Sequence, residues 1–196
     1  MQAAAVHRLS GSSLKSTAKL FVDTNVWKCL TYSKATLGYA AKAKAYADFV
    51  GSCVAARVDL FSSILSYSEL ASIIERTECD IYNAAHGERI LIKKFREGIV
   101  ARQEVVEELA VAWGQVEALS TLLPITLDSA MLEGAKRNFS NYPLDGYDVF
   151  FVEQMKAAGI SAIVTDDLDY IYVPGLHVYT CNNDSIGRAK LYKRLA

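Results

Sequence analysis

Short apolar runs recur along the chain, separated for the most part by stretches of helical composition. They fall at residues 18–22, at 58–65 (VDLFSSIL), at 160–164 (ISAIV) and at 176–180 (LHVYT). This alternation constrains the fold more than any other feature. Strands that alternate with helices build βαβ units, a parallel sheet and right-handed crossovers. In such sheets ligands lie beyond the carboxyl ends of the strands. The residues just after each apolar run therefore carry the functional information.

Between the runs, residues 26–50 read as helix, with AAKAKAYADFV a strong helix-forming segment. Residues 66–75 open another helix. The pattern stays helical across an extended region at about 80–123, through GERILIKKFREGIVARQ and EVVEELAVAWGQVEALSTLL. Residues 125–127 read as a short strand before the helix DSAMLEGAKRN. NYPLDGYD is a loop into the helix VFFVEQMKAAG, which Gly159 is placed to end. Residues 1–17 are small and polar and read as a flexible tail, leaving 18–196 as a single domain.

Composition narrows the class. At 196 residues the chain can bury one sizeable core and is short for two. A hydrophobic content of 52% with 22% charged residues excludes a disordered chain. The formal net charge of −1 lacks the strongly basic footprint of many nucleic-acid-binding domains, leaving local patches or metal ions to do that work. Cysteines 29, 53, 79 and 181 form no CxxC pair, which argues against zinc and for a reducing compartment. No segment has the roughly 20 apolar residues of a membrane span, and the first residues lack the apolar core of a signal peptide. A cytoplasmic protein without membrane attachment is expected.

The acids are distributed in an informative way. In LFVDTNVW, Asp23 directly follows an apolar run; Asp166 and Asp167 follow AIV in the same manner. Glu69 lies four residues beyond FSSIL, and Asp148 starts the helix that leads to AIV. Each has an ordinary structural reading. Asp23 suits a helix N-cap, Ser66 and Glu69 fit a capping box, Asp148 suits a helix dipole, and TDDLDY could be a solvated turn. Together these readings fail, because clustered carboxylates repel and raise one another's pKa unless a cation neutralises them. Oxygen ligands without histidine or cysteine point to Mg²⁺ or Mn²⁺. Such ions can hold a phosphate, acidify an attacking water and stabilise a leaving oxygen.

Helical periodicity separates Asp148 from Asp145. Asp148 shares a stripe with Val152 and Met155 and should face the sheet, while Glu153, Gln154 and Lys156 mark the solvated side. Asp145, before Gly146, reads as a cap or polar support. Phe150 falls toward the polar side, where another helix or a second subunit would meet it. Other chemistries lack their residues. His7, His86 and His177 occur in unrelated contexts, so no serine–histidine–acid set stands out. There is no GxxxxGK[ST] loop, and Asn25 stands where an aspartyl-phosphate phosphatase needs a second aspartate. Arg89, Lys93 and Arg96 fall at i, i+4 and i+7, a stripe that could follow a phosphate backbone or be a solvated face. The C-terminal IGRAKLYKRLA is also basic.

Four segments in order, LFVDTNVW, SYSELASII, YDVFFVEQMKAAG and IVTDDLDY, resemble the PIN-domain ribonucleases, including the VapC-type toxins of bacterial and archaeal toxin–antitoxin pairs. The resemblance runs from about Leu20 to Thr180. It implies a three-layer α/β/α fold around a central, mostly parallel sheet. It makes Asp23 the first metal-binding acid, with Thr24 and Asn25 as polar support, Glu69 the second and Asp148 the third. Thr165 and Asp167 match the family's T-x-D, which supplies the fourth acid; Asp166, between them, is a rival. The implied activity is cleavage of RNA with Mg²⁺ or Mn²⁺, often by a homodimer and, in the toxins, with an antitoxin partner. A DNA- or flap-directed nuclease, or an inactive RNA-binding module, are the alternatives. The segment before the first strand and the long helical region between Glu69 and Asp148 depart from the compact toxin pattern.

Overall fold

A computed structural model gives the protein over residues 3–36 and 40–196. Six strands, β1 (Ala5–Arg8), β2 (Lys19–Val22), β3 (Asp59–Ser63), β4 (Thr121–Leu123), β5 (Ala162–Val164) and β6 (His177–Thr180), form one sheet in the order β1-β6-β5-β2-β3-β4. Every pairing is parallel, so the sheet is wholly rather than mostly parallel. The described helices are α1 (Thr24–Thr31), α2 (Ala40–Ala55), α3 (Leu65–His86), α4 (Ile92–Arg96), α5 (Ile99–Leu119), α6 (Ser129–Asn141), α7 (Asp148–Ala157) and α8 (Asn183–Leu191), with 3₁₀ turns at Ser33–Thr36 and Asp169–Tyr172.

The central strand shows why the layers form. Leu20 and Val22 of β2 pack with Val26, Trp27, Tyr46 and Phe49 from α1 and α2. Phe21 points the other way, into a cluster with Phe151, Val152 and Met155 of α7. A strand covered on both faces is apolar at every position, which is why LFV is a continuous run. Phe151 is fully buried, its ring 5.5 Å from that of Phe21. Its truncation to alanine would cost about 3–5 kcal/mol and loosen the helix whose first residue is Asp148.

The order of strands locates the site. From β2 the chain moves outward through β3 to β4; from the adjacent β5 it moves the opposite way, to β6. Neighbouring strands whose connections diverge leave a crevice at their carboxyl ends. Asp23 follows β2 and Thr165 follows β5, so both stand at that crevice.

Several sequence expectations are corrected. Residues 5–8, placed in a flexible tail, form the edge strand β1, because Val6 is buried against the sheet beside β6. The strand expected at 125–127 lies instead at Thr121–Leu123, where it pairs with Phe61–Ser63. Pro124 follows and cannot donate to a ladder. The helix expected over 26–50 is divided into α1, a 3₁₀ turn and α2; its residues 37–39 lie outside the described residues. The helical region at 80–123 breaks after His86, where Gly87 takes a left-handed φ of 65°. His7 and His177, unrelated in sequence, meet across β1 and β6 with Nε2 and Nδ1 3.0 Å apart. The basic C-terminal segment is built into the fold: Arg188 bonds the Tyr172 hydroxyl and Arg194 the Ile171 carbonyl. All four cysteines are free thiols, with 53 and 79 buried. No described helix is long and apolar enough to cross a membrane.

Candidate active site

Side chains alternate along a strand, and this alternation builds the site. Phe21 and Ile163 face the α7 layer. Two residues further on, Asp23 and Thr165 face the same way. There Thr165 Oγ1 donates to Asp23 Oδ2 at 2.6 Å. The other carboxylate oxygen of Asp23 accepts from the Thr24 amide at 2.6 Å. Asp23 is thus the N-cap of α1, yet it bonds the first amide of the helix instead of the second or third favoured by ordinary caps. Its carboxylate is turned inward and almost fully buried.

Thr165 uses its hydroxyl fully. It donates to Asp23 and accepts from the Asp167 amide at 2.8 Å and from Asn25 Nδ2 at 3.3 Å. Asn25 Oδ1 in turn accepts from the Asp166 amide at 3.0 Å. Asn25 and Thr165 therefore hold the loop after β5 against the start of α1. Asp167 is half-buried, and its Oδ1 caps the next 3₁₀ turn by accepting from the Asp169 amide at 2.8 Å.

Asp148 is the first residue of α7 and is buried, whereas Asp145 is exposed. Val152 and Met155 are fully buried on its stripe, as the periodicity requires. Asp148 Oδ1 accepts from the fully buried hydroxyl of Tyr170 at 2.7 Å. The positions of Gln154 and Asp145 differ from the helix reading. Gln154, placed on the solvated side, is buried with Nε2 near the carbonyls of Leu123 and Pro124. Phe150, expected to meet another helix or a second subunit, packs against the cluster that α7 shares with other elements of its own chain, Ala135 of α6 among them. Asp145 does not cap α7 with its side chain: the N-cap is Tyr147, and only the Asp145 carbonyl takes part, accepting from the Asp148 amide.

Glu69 belongs to α3, but the capping box with Ser66 does not form. The N-cap of α3 is Ile64, whose side chain cannot cap, and the first amide of the helix, that of Leu65, is met by Ser63 Oγ at 3.1 Å. Ser66 Oγ, Glu69 Oε2 and Thr24 Oγ1 are buried with no hydrogen-bond partner. A buried polar atom without a partner is costly, so these atoms mark a place the fold leaves ready for a ligand.

The acids feel one another. Burial pushes the Asp23 carboxyl well above the usual range and the charges of Glu69 and Asp167 add to it, against the bonds from Thr165 and Thr24. Burial also raises Asp148, helped by Asp23, Asp167 and Glu69 and opposed by Tyr170. Glu69 is raised by burial and by the charges of Asp145 and Asp167. The Thr24 hydroxyl lies near enough to oppose that rise but not at hydrogen-bonding geometry. Among the described residues no ion pair reaches Asp23, Glu69, Asp148 or Asp167. As the side chains stand, no three histidine, cysteine, aspartate or glutamate residues among the described residues are within joint reach of one ion. Asp23 and Asp148 are drawn instead to Thr165 and Tyr170. The donor set is oxygen alone, the carboxylates lack a cation, and Glu69 Oε2 lacks a partner. These residues fit a hard divalent ion.

Two sets of expected residues fall elsewhere. Asp166 lies on the opposite face of the loop. It pairs with Lys42 Nζ at 2.8 Å and accepts from the Tyr46 hydroxyl at 2.9 Å, so it is not a rival to Asp167. The alternation that sends Thr165 to Asp23 sends its neighbour toward α2. The basic stripe does not form either. Arg89 lies outside any helix, Lys93 and Arg96 belong to the five-residue α4, and Arg96 is engaged by Glu75. Tyr170, which touches Asp148, was not anticipated; its only sequence signal is its position three residues after Asp167. Asp169 is also drawn into the acidic field, raised by burial and then by Asp167 and Asp145.

The architecture is a three-layer α/β/α domain whose wholly parallel sheet carries acids from four separate segments near its switch point. The PIN domain family model matches residues 20–176, and the chain belongs to that family. The family is one of nucleases that are generally metal-dependent. No curated protein gives a significant match.

Proposed function

We propose that the protein is a metal-dependent endoribonuclease. The observation that carries this reading is the electrostatic coupling of Asp23, Glu69, Asp148 and Asp167: four mutually repelling acids, three of them raised by burial, and among the described residues none paired with a cation. These four would hold Mg²⁺ or Mn²⁺. When bound, the ion positions the scissile phosphate, acidifies a water and stabilises the leaving oxygen. The chain's own groups supply the rest. Thr165 and Thr24 fix the Asp23 carboxylate, Tyr170 fixes that of Asp148, and Asn25 holds the Asp167 loop in register with both. Burial and mutual repulsion disfavour the ionised forms of Asp23, Glu69 and Asp148, and a bound cation would favour them.

RNA as substrate, a homodimer and an antitoxin partner rest on the resemblance to the VapC-type toxins. The long α3–α5 arm sets this chain apart from the compact members of that group. The test is incubation of single-stranded RNA and of DNA of the same sequence with the protein in Mn²⁺, in Mg²⁺ and in EDTA. Cleavage of RNA that stops in EDTA supports the reading. Cleavage of DNA alone returns the DNA-directed alternative, and no cleavage of either strand returns the inactive module.

A further inference from the structure

Beyond Glu69, helices α3 and α5 separate to leave a cleft of about 450 Å³. Tyr67, Ser68, Ser72 and Glu75 line it from α3, with Arg96 of α4 and Arg102 of α5 at its far end. Its near end adjoins the acids. Tyr67 and Ser68 directly precede Glu69, and Ser68 Oγ lies 3.3 Å from the hydroxyl of Tyr147, the residue before Asp148. Ser68, Ser72 and Glu75 fall at i, i+4 and i+7, so one helical stripe leads from Ser68, the neighbour of Glu69, to the arginines. Glu75 lies roughly 9 Å along the helix axis from Glu69.

The arginines are not equivalent. Arg96 grips the buried Glu75 with both sides of its fork: Nε bonds Oε1 at 2.7 Å and Nη2 bonds Oε2. That bidentate pair satisfies the carboxylate. Arg102 adds one long contact, Nη1 to Oε1 at 3.4 Å, and its side chain is 54% exposed. Two guanidiniums therefore face one carboxylate, and the cleft carries net positive charge. Tyr67, 45% exposed, is braced edge-on by Trp113 with ring centroids 5.2 Å apart.

We propose that this cleft is a nucleotide subsite, in which Arg102 takes the phosphate of a nucleotide adjoining the scissile bond and Tyr67 stacks on its base. The proposal rests on the nuclease reading for its direction from the acids. An aromatic face beside a cationic groove is the chemistry that holds single-stranded nucleic acid without base-specific hydrogen bonds. A guanidinium with spare donors matches a phosphate. Glu75 and Arg96 are positioning residues, since their pair fixes α4 on α3 and leaves Arg102 to face the cleft.

The test is binding in EDTA, where cleavage is off. Fluorescein-labelled single-stranded RNA, and DNA of the same sequence, are titrated into wild type, Arg102→Gln, Tyr67→Leu and Lys190→Gln at several salt concentrations. Arg102→Gln leaves the Arg96–Glu75 pair intact and is expected to fold. It should weaken binding several-fold, uniformly across sequences, and lower the salt slope by about one. Tyr67→Leu should weaken binding without changing the slope. Lys190→Gln, an exposed cation on α8, should change neither. The strand that wild type binds more tightly names the substrate class. Wild-type affinity and slope in Arg102→Gln, or binding of neither strand by wild type, would overturn the subsite. Asp23→Asn separates the two claims: lost cleavage with intact Arg102-dependent binding supports both, and lost cleavage with Arg102-independent binding leaves only the nuclease.

Discussion

Thr165 Oγ1 and Asp23 Oδ2 are joined by a 2.6 Å hydrogen bond across the carboxyl ends of two adjacent parallel strands. These residues are 142 positions apart in the chain. The bond ties the first acid of the site to the loop that carries the last, and strand alternation alone dictates which residues can make it.

Asp23→Asn keeps the shape of the side chain and removes its charge. Cleavage should fall at least about a hundredfold, on the scale of losing a metal ligand or its support. The metal-free fold should persist and melt higher than wild type, because burial and the charges of Glu69 and Asp167 disfavour the ionised carboxylate. Circular dichroism melts in EDTA and a cleavage assay in Mn²⁺ check both halves.

Stability of the metal-free protein should fall as pH rises from about 6 to about 8. The folded pKa values of Asp23 and Asp148 lie above the unfolded carboxylate range of about 4. Their contribution is therefore fully present below that range and lost as pH rises through the raised folded values. Glu75, held below its ordinary range by the bond from Arg96, is already ionised throughout this window. His7, held low by burial, pulls the opposite way. The comparison that isolates the acids is wild type against Asp23→Asn, in which the fall should shrink. Mn²⁺ should also shrink it; equal slopes in all three samples would count against a shared acidic site.

The placement of several of these acids in the fold was legible in the sequence, and the reasons are specific. Asp23 and Asp167 follow apolar runs, so a parallel sheet sends both to one edge. Asp148 was separable from Asp145 by a helical stripe whose apolar members, Val152 and Met155, are indeed buried. Alternation beyond Val164 could have turned Asp166 away as well, but a loop after a three-residue strand gave no assurance that the period continued. The contacts of Tyr170 were not legible, because they depend on how a 3₁₀ turn seats beneath α7. The strand β1 was hidden by its length: four residues, AVHR, carry no readable period. The basic stripe failed because Gly87 ends α3 before the segment that holds Arg89, so the assumed helix never formed.

Tyr170→Phe removes the hydroxyl bonded to Asp148 Oδ1 and leaves a buried acceptor short of a partner. The cost should be about 1–3 kcal/mol in metal-free protein. Saturating Mn²⁺ should recover part of that loss, since a cation would replace the donor. Thermal melts with and without Mn²⁺ measure both, and a variant as stable as wild type without metal would remove Tyr170 from the account.

Asp145→Asn and Asp148→Asn should behave differently. Asp148 is buried among the acids and Asp145 is exposed, acting on Glu69 only through its charge. Mn²⁺ titration calorimetry should show binding lost in Asp148→Asn and weakened by no more than about tenfold in Asp145→Asn, the lower end of the cost of removing outer support. The reverse order would move the third ligand to Asp145.

The central claim is that Glu69, without a cap to form and with Oε2 unpartnered, joins Asp23, Asp148 and Asp167 in holding a divalent ion for RNA cleavage. Glu69→Gln tests it most directly, because the change preserves size and helix propensity and removes only the charge. Cleavage of single-stranded RNA at saturating Mn²⁺ should fall at least about a hundredfold while the metal-free melting temperature stays the same or rises. Cleavage at the wild-type rate by the folded variant would contradict the account.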